Sequence, residues 1–480
     1  MTILLTITGI IGGIMTILTL YQIVYAIIGF FKTKKYPDAK VDHEYAVIIP
    51  GRNEGRVIGQ LIDSIRNCDY DQSKIRIFVI ADNCTDNTAE IARNAGATVF
   101  ERFNKEEIGK GYAVDFLLKK IHETEPDYLP EGWFVFDADN LLHKDYFKEM
   151  NKAFDAGEEV VTSLRNGKNF NTNWYSAVGC MAFMRECRFF HTPRTVLGVS
   201  ANVTGTGWLI KSTLLNYETG FPWHLLTEDA ECTHDLILRG HKIAYQDTAI
   251  FYDEQPTDLK TIYKQRLRWQ SGTYQNMKKF TGKLAGKLFT TGKFVYYDYL
   301  VSLLPFAAIG FLLVVTNFMY PVVNGIVMLC KGAQVWGTLW YMFSSLLALF
   351  ATTYLGIFIY GVLITFKDWK RMAASTKSKL VATFMYPIFM ILIMPIPFIA
   401  IFKKAKWVHI PHTDVRNINE LNKLLVQDTD TNQEKVEESK PLEISEKEEP
   451  SEVIKQEPKV KEKKNTKKQT QNSKTKAKKK

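Results

Sequence analysis

The chain has 480 residues, 46% of them hydrophobic, and a formal net charge of +10. That length can hold a sizeable core, and the gap between the first and second long apolar stretches leaves room for one folded domain of roughly 250 residues. Ten lysines against the single Glu462 within residues 461–480 give a surplus of nine, so the rest of the chain is close to balanced and its charge does not argue for nucleic acid as a partner.

The first predicted element is a nearly uninterrupted apolar run over residues 3–31, which ends at Lys32, Lys34 and Lys35. It exceeds the roughly 20 residues that cross a bilayer. A signal peptide carries its positive charge ahead of a shorter apolar stretch, so residues 1–35 read as an uncleaved anchor with its C-terminal end in the cytoplasm.

Residues 44–293 then alternate apolar strands with amphipathic helices. Strands are expected at 45–50 (YAVIIP), 75–80 (IRIFVI) and 133–136 (WFVF), and helices at 54–67, 88–94 and 111–122. Continuous apolar strands separated by helices imply an α/β fold, a mostly parallel sheet covered on both faces, whose ligands bind beyond the strand C-termini. Asp82 and Asp137 fall at such ends. The six cysteines show no C-x-x-C pair and no zinc-like spacing with histidine, and read as reduced, buried thiols.

The region 294–410 reads as membrane. Apolar spans are expected at 299–323 and 339–366, followed by a basic stretch at 367–379. A third apolar segment, 380–402, is interrupted by Pro387, Pro395 and Pro397. If it crossed fully it would carry Lys403, Lys404 and Lys406 outside, against the positive-inside tendency, so a broken or re-entrant segment is expected. From residue 413 to 480 aromatics vanish and charge dominates, which is the composition of a disordered tail. Such a tail solubilises; its lysines could also attract anionic headgroups or a membrane partner.

Several side chains in this frame carry chemistry. Asp137 and Asp139 are two apart in an extended segment and so face the same side, where two hard carboxylates suit Mg2+ or Mn2+ bound to a diphosphate; the alternative is a solvated turn. Asp82 ends a strand, with residues 83–86 resembling a helix cap. After the first strand, Arg52 is placed to meet phosphate and Glu54 to accept from ribose hydroxyls. Lys110, between Gly109 and Gly111 at a helix start, adds charge to an anion site without the spacing of a P-loop. Thr227, Glu228 and Asp229 precede an amphipathic stretch and can cap it. In the run 264–270 (KQRLRWQ), Arg266 and Arg268 offer charge to phosphate and Trp269 a face to a sugar, while an interfacial helix would use the same residues at headgroups.

Taken together, Asp82, the D-x-D at 137–139, the T-E-D at 227–229 and the Q-x-x-R-W of Gln265, Arg268 and Trp269 resemble glycosyltransferase family 2. The similarity is to its membrane-integrated branch of cellulose, hyaluronan and poly-N-acetylglucosamine synthases, over about residues 44–270. It implies a GT-A fold, Asp82 at the uridine, Asp137 and Asp139 at metal and diphosphate, and Asp229, beside Glu228, as the base that takes the acceptor proton. Gln265, Arg268 and Trp269 would line the diphosphate and acceptor end. The implied activity is inverting transfer from a UDP-sugar, of UDP-GlcNAc or UDP-glucose type, to elongate a β-linked polysaccharide. The enzyme would be a multi-pass protein of the cell membrane with its catalytic domain in the cytoplasm. Transfer of one sugar to a lipid acceptor is the alternative. A non-catalytic scaffold leaves the carboxylates unexplained, and a nucleotidyltransferase gives no reason for Trp269 just before the membrane. Gly205-Thr206-Gly207 departs from the hyaluronan and cellulose synthase patterns, which leaves donor and product open.

Overall fold

The computed structural model describes residues 2–215 and 220–424. Its centre is an eight-stranded mixed sheet in the order β3-β2-β1-β4-β7-β6-β8-β5. The strands are β1 (Tyr45–Gly51), β2 (Ile75–Asp82), β3 (Thr98–Arg102), β4 (Gly132–Val135), β5 (Leu141–Leu142), β6 (Val160–Gly167), β7 (Trp208–Lys211) and β8 (Ile243–Asp253). The half formed by β3, β2, β1 and β4 is parallel, as the apolar runs predict, and β6 pairs parallel with β8. Antiparallel β7 joins these halves, and β5 closes the far edge antiparallel to β8.

Among the helices, α1 (Thr2–Thr19) and α2 (Tyr21–Phe31) precede the sheet, and α3 (Ile58–Arg66), α4 (Thr88–Asn94), α5 (Lys110–Thr124) and α6 (Tyr146–Asp155) are interleaved with its strands. They are followed by α7 (Trp174–Glu186), α8 (Thr192–Val196), α9 (Glu228–Arg239), the long α10 (Leu259–Thr291) and α11 (Phe294–Leu303). The apolar series is α12 (Phe306–Cys330), α13 (Val335–Asp368), α14 (Thr376–Ile393) and α15 (Ile396–Phe402).

Successive residues of a strand point to opposite faces, so a strand buried on both sides feeds two cores. β1 does so: Tyr45, Val47 and Ile49 pack with α3, α4 and α6, whereas Ala46 and Ile48 pack with α5 and α9. This two-sided burial is why YAVIIP carries no polar alternation. The helix expected at 54–67 starts only at Ile58, because the backbone first turns through Glu54, whose carbonyl accepts from Val57 and Ile58.

Three helices, Phe306–Cys330, Val335–Arg371 and Thr376–Phe402, are long and apolar enough to cross a membrane, and the pair Ile3–Thr19 and Tyr21–Phe31, bent by 43°, qualifies together as a broken span. The first of them begins later than the expected residue 299, because α11 ends ahead of Pro305. Membrane-side helices are tied to the sheet domain by buried polar contacts. Asp298 of α11 accepts from Arg194 of α8 at 2.8 and 3.0 Å, and from Tyr21 and Tyr25 of α2, each at 2.8 Å.

Both ends of the third apolar segment touch the sheet domain. At the start, the Ser375 backbone donates to Asn171 at 3.0 Å; at the end, Tyr274 of α10 donates to the Pro397 carbonyl at 2.7 Å and the Ala405 backbone to Ser271 at 3.3 Å.

The chain after this segment differs from the tail expected to begin at 413. Thr413 and Asp414 donate their backbone N–H groups to Glu254, each at 3.0 Å, and Leu421 is fully buried against Leu141, Tyr252 and Ala373. Ile418, Leu421 and Leu424 recur every three residues, an apolar stripe that the average composition of 413–480 conceals. The remainder of the expected tail, with its lysine-rich end and any membrane partner for it, lies outside the described residues.

Candidate active site

Beyond the C-terminal ends of β1, β2 and β4 lies a cavity of about 620 Å3, and every site residue singled out from the sequence lines it. These are Arg52 and Glu54 after β1, Asp82 at the end of β2, Lys110 at the start of α5, and Asp137 and Asp139 after β4. Glu228 and Asp229 at the start of α9, and Gln265, Arg268 and Trp269 on α10, complete the wall.

Asp82 is not a free carboxylate. Arg102 of β3 donates to its Oδ1 at 2.9 Å, and Asn83, held at a left-handed φ of 54°, donates to the same oxygen at 3.0 Å. The N-cap of α4 is Asn87, one residue beyond the stretch 83–86 expected to cap it, and Asp86 accepts from the Thr88 N–H at 3.1 Å.

The D-x-D segment is held from below. Thr206 accepts from the Asp137 N–H at 2.8 Å and bonds to Asn140, so the Gly205-Thr206-Gly207 loop fixes the backbone of the carboxylate pair. Gly205 and Gly207 have φ of 79° and 66°, and a side chain at Gly207 would collide with the Phe251 ring. The Lys110 ammonium sits 2.5 Å from Asp137 Oδ1 and also donates to the Gly205 carbonyl. Burial opposes the ionised form of Asp137, yet Lys110 holds its pKa below the usual carboxylate range. Asp139 accepts from the Glu254 N–H at 3.0 Å.

Among the described residues no three His, Cys, Asp or Glu side chains form a ready-made metal cage. Asp137 nevertheless already carries a cation on one oxygen, and carboxylates crowd around it: burial first, then Asp139 and Asp137, lift Glu54 to about 7 against the pull of His412. Burial likewise raises Asp253, with Arg165 opposing. Two hard carboxylates here fit Mg2+ or Mn2+, which usually takes one or two carboxylates and completes its shell with substrate phosphates and water.

Asp229 uses one oxygen locally, accepting from the Ala230 N–H at 2.8 Å within the first turn of α9, whose N-cap residue is Thr227. Its other oxygen faces Gly205 across the cavity. Burial raises the pKa of both Glu228 and Asp229, with Lys110 and Arg268 pulling the other way, a direction that suits a proton acceptor working near neutrality. The T-E-D segment and the Q-x-x-R-W helix form one unit. Arg268 donates to the Leu226 carbonyl at 2.9 Å, Asn276 to the Thr227 hydroxyl at 3.0 Å, and Gln275 accepts from the Leu226 N–H at 3.1 Å. Any side chain at Gly272 would strike Thr227.

Several lining residues escaped the sequence reading. Arg165 donates to Asp253 at 2.6 and 3.0 Å and lies 3.7 Å from the Phe183 ring centroid. The stretch 407–412, beyond the third apolar segment, folds back over the first strand's turn. Trp407 receives the Arg52 guanidinium 5.0 Å from its ring centroid, and His412 Nδ1 lies 3.0 Å from both oxygens of Glu54. No local motif marks these positions, because each works on a partner far away in sequence, 88 residues for Arg165 and Asp253 and 358 for His412 and Glu54.

A second cavity, of about 740 Å3, opens among α7, α10, α12, α13, α14 and α15. Gln22, Arg185, Phe190, Arg266, Trp269 and Thr273 line both cavities, so the second continues the first away from the sheet. Its remaining wall is largely apolar, including Phe311, Val314, Ile357, Met390, Ile393 and Ile396.

Residues 43–272 match the family described as glycosyltransferase like family 2. A beta-monoglucosyldiacylglycerol synthase of Nostoc sp. is 26% identical over 240 residues, covering 48% of this chain and 49% of that protein. A poly-beta-1,6-N-acetyl-D-glucosamine synthase of Staphylococcus aureus is 25% identical over 279 residues, covering 54% of this chain and 63% of its own length. The chain thus spans less than two thirds of either relative. Among solved structures, a mannosyltransferase from Pyrobaculum calidifontis in complex with GDP-Man and Mn2+ aligns over 81% of this chain and 98% of its own, at 16% identity and a TM-score of 0.44.

Proposed function

We propose that this chain, whose residues 43–272 are a family 2 glycosyltransferase domain, transfers a sugar from a UDP-sugar to an acceptor hydroxyl that reaches Asp229 from the membrane side, with inversion. One observation carries the reading: the cavity that gathers the carboxylates, Lys110 and the Q-x-x-R-W helix runs on into an apolar cavity between helices long enough to cross a membrane.

The residues divide the work as follows. Arg52, Glu54 and Asp82 lie where a nucleoside would rest beyond the strand ends, and Lys110 and Arg268 face its diphosphate. Asp137 and Asp139 are the residues that would hold Mg2+ or Mn2+, whose charge favours departure of the diphosphate. Asp229 takes the proton of the acceptor hydroxyl as its oxygen forms the new bond to the sugar's carbon 1. The bond from carbon 1 to the diphosphate oxygen breaks, UDP leaves with that electron pair, and attack from the opposite face turns an α-linked donor into a β-linked product.

The apolar wall of the second cavity favours a lipid-borne acceptor, as in the diacylglycerol synthase relative. Elongation of a β-linked polysaccharide is the second reading, favoured by Trp269 at the junction of the two cavities, where an indole can stack on a sugar of a growing chain. In either case we place the sheet domain on the cytoplasmic face. The third apolar segment, hydrogen-bonded to that domain at both ends, supports the broken or re-entrant topology over a full crossing. Incubating purified membranes with a panel of UDP-sugars and measuring product size and linkage tests the reading: a glycosylated lipid supports the first form, long polymer the second, and no sugar transfer from any donor overturns both.

A further inference from the structure

Three side chains in the second cavity each keep a buried polar atom that, among the described residues, has no partner at hydrogen-bond geometry. Arg185 of α7, Arg266 of α10 and Tyr386 of α14 all line it. Arg185 Nε, Arg266 Nε and Tyr386 Oη are buried without a hydrogen-bond partner. Other buried arginines are matched to carboxylates, Arg165 to Asp253, Arg188 to Asp368 and Arg194 to Asp298. Arg185 and Arg266 are not, and the nearest carboxylate is already engaged: Glu186 accepts from Asn202 at 3.2 Å and lies 3.7 Å from His191.

Aromatic faces surround the two cations without neutralising them. The Arg266 guanidinium lies 4.8 Å from the Trp269 ring centroid and 5.9 Å from that of Phe389, and Arg185 lies 5.6 Å from Phe190. Burial and then the neighbouring charge of Arg185 push the pKa of Arg266 down to about 10, whereas Arg185, beside the Tyr386 hydroxyl, is held up. Among the described residues neither guanidinium has a carboxylate at salt-bridge distance, and Glu186 acts on both only from farther off; two adjacent, half-buried cations so placed suit an anion that arrives with a ligand, since a fork of N–H donors matches phosphate geometry.

We infer that Arg185, Arg266 and Tyr386 seat a phosphate carried by a lipid acceptor, with its chain among the apolar side chains of the second cavity and the hydroxyl to be glycosylated directed toward Asp229. This rests on the reading that the acceptor enters from the membrane side. Charge complementarity selects the headgroup: a neutral lipid would leave both guanidinium groups unpaired. The wall chemistry selects the rest, since Phe311, Val314, Ile357 and Met390 offer nothing to a hydrated sugar chain and much to an acyl or prenyl chain.

The test uses the full chain in a detergent that lacks both phosphate and sugar, with phosphatidylglycerol, diacylglycerol and inorganic phosphate as probes and native mass spectrometry as the readout. Phosphatidylglycerol should bind at least about tenfold more tightly than diacylglycerol, and Arg185→Gln and Arg266→Gln should each weaken it by about tenfold or more, with Arg185→Lys restoring part of the loss. Tyr386→Phe should weaken it less. UDP binding by each variant checks that the sheet domain is folded, so a variant that binds neither probe is replaced by its lysine counterpart. Equal binding of the two lipids, or unchanged binding by both glutamine variants, overturns the inference. Displacement of the lipid by millimolar inorganic phosphate would show a site for the free anion and overturn the lipid assignment. Failure of the wild-type protein to bind UDP would instead undo the transferase reading, whichever way the lipids behave.

Discussion

His412 Nδ1 lies 3.0 Å from each carboxylate oxygen of Glu54, across 358 positions of sequence. The contact joins the turn after the first strand to the chain that returns from the last apolar segment, and His412 Nε2 is 4.0 Å from Asp139 as well. Burial opposes its charge, but Asp139 and then Glu54 hold the imidazole up at about 10. A raised folded-state pKa gives stability that is fully present below the ordinary histidine value of 6.5 and is lost as pH rises through about 10. Protection of the amides in residues 405–412, relative to their intrinsic exchange rates, should therefore fall between about pH 7 and pH 10 in the wild type, and His412→Ala should be poorly protected throughout. Equal protection of wild type and variant at neutral pH would show that the contact does not hold this segment.

Asp229→Asn should fold normally and bind UDP while turning over about two or more orders of magnitude more slowly, the scale of a lost general base. The amide keeps the oxygen that accepts from Ala230, so that contact survives and only basicity goes. If that contact were the residue's whole role, the rate would persist in Asp229→Asn and Asp229→Ala would instead lose about 1 kcal/mol of stability. Single-turnover rates and thermal melts on the two variants separate these roles.

Chelation should abolish turnover, and Mn2+ or Mg2+ should restore it, because Asp137 and Asp139 offer hard oxygen donors at the cavity wall, close enough to raise the pKa of Glu54. Asp139→Asn should raise the metal concentration needed for half-maximal rate. Full activity in excess chelator, or an α-linked product, contradicts the proposed reaction.

Shortening the chain tells the packed part from the rest. A chain ending at residue 428 keeps Trp407, His412 and the buried Leu421, and should retain sugar transfer. One ending at residue 404 removes the Trp407 face under Arg52 and the partner of Glu54, and should bind UDP about tenfold or more weakly. Calorimetric titration with UDP on the two proteins decides, and equal affinities would show that residues 405–424 do not contribute to the donor site.

Much of this was legible in the sequence for a physical reason. Strands buried on both faces leave uninterrupted apolar runs, and a carboxylate at the end of such a run, as at Asp82 and Asp137, marks the edge where ligands bind. The T-E-D and Q-x-x-R-W residues were readable as local motifs, and they share the cavity. His412, Trp407 and the Arg165–Asp253 pair were not readable, because a single histidine or arginine takes its meaning from a distant partner. The packed stripe 418–424 was hidden by averaging its few apolar residues with a long charged segment. Pro305 moved the start of α12, since hydropathy alone does not register where a proline separates two helices.

Trp269 allows the acceptor role to be separated from membrane anchoring. Its ring meets Phe183 edge to face at 5.9 Å and carries Arg266 at 4.8 Å, while Arg268 on the same helix reaches back to Leu226. The indole therefore faces the junction of the two cavities, and the diphosphate end is served by other residues. Trp269→Ala should lower acceptor-dependent turnover by about tenfold, the equivalent of roughly 1.4 kcal/mol of lost transition-state contact, and change UDP affinity little. Trp269→Phe should fall between. An anchoring role makes a different forecast: detergent stability would fall in both variants while turnover per folded enzyme stayed constant. Measuring UDP affinity, melting temperature and product yield on wild type and the two variants distinguishes them, and unchanged yield per folded molecule would end the acceptor-site assignment of Trp269.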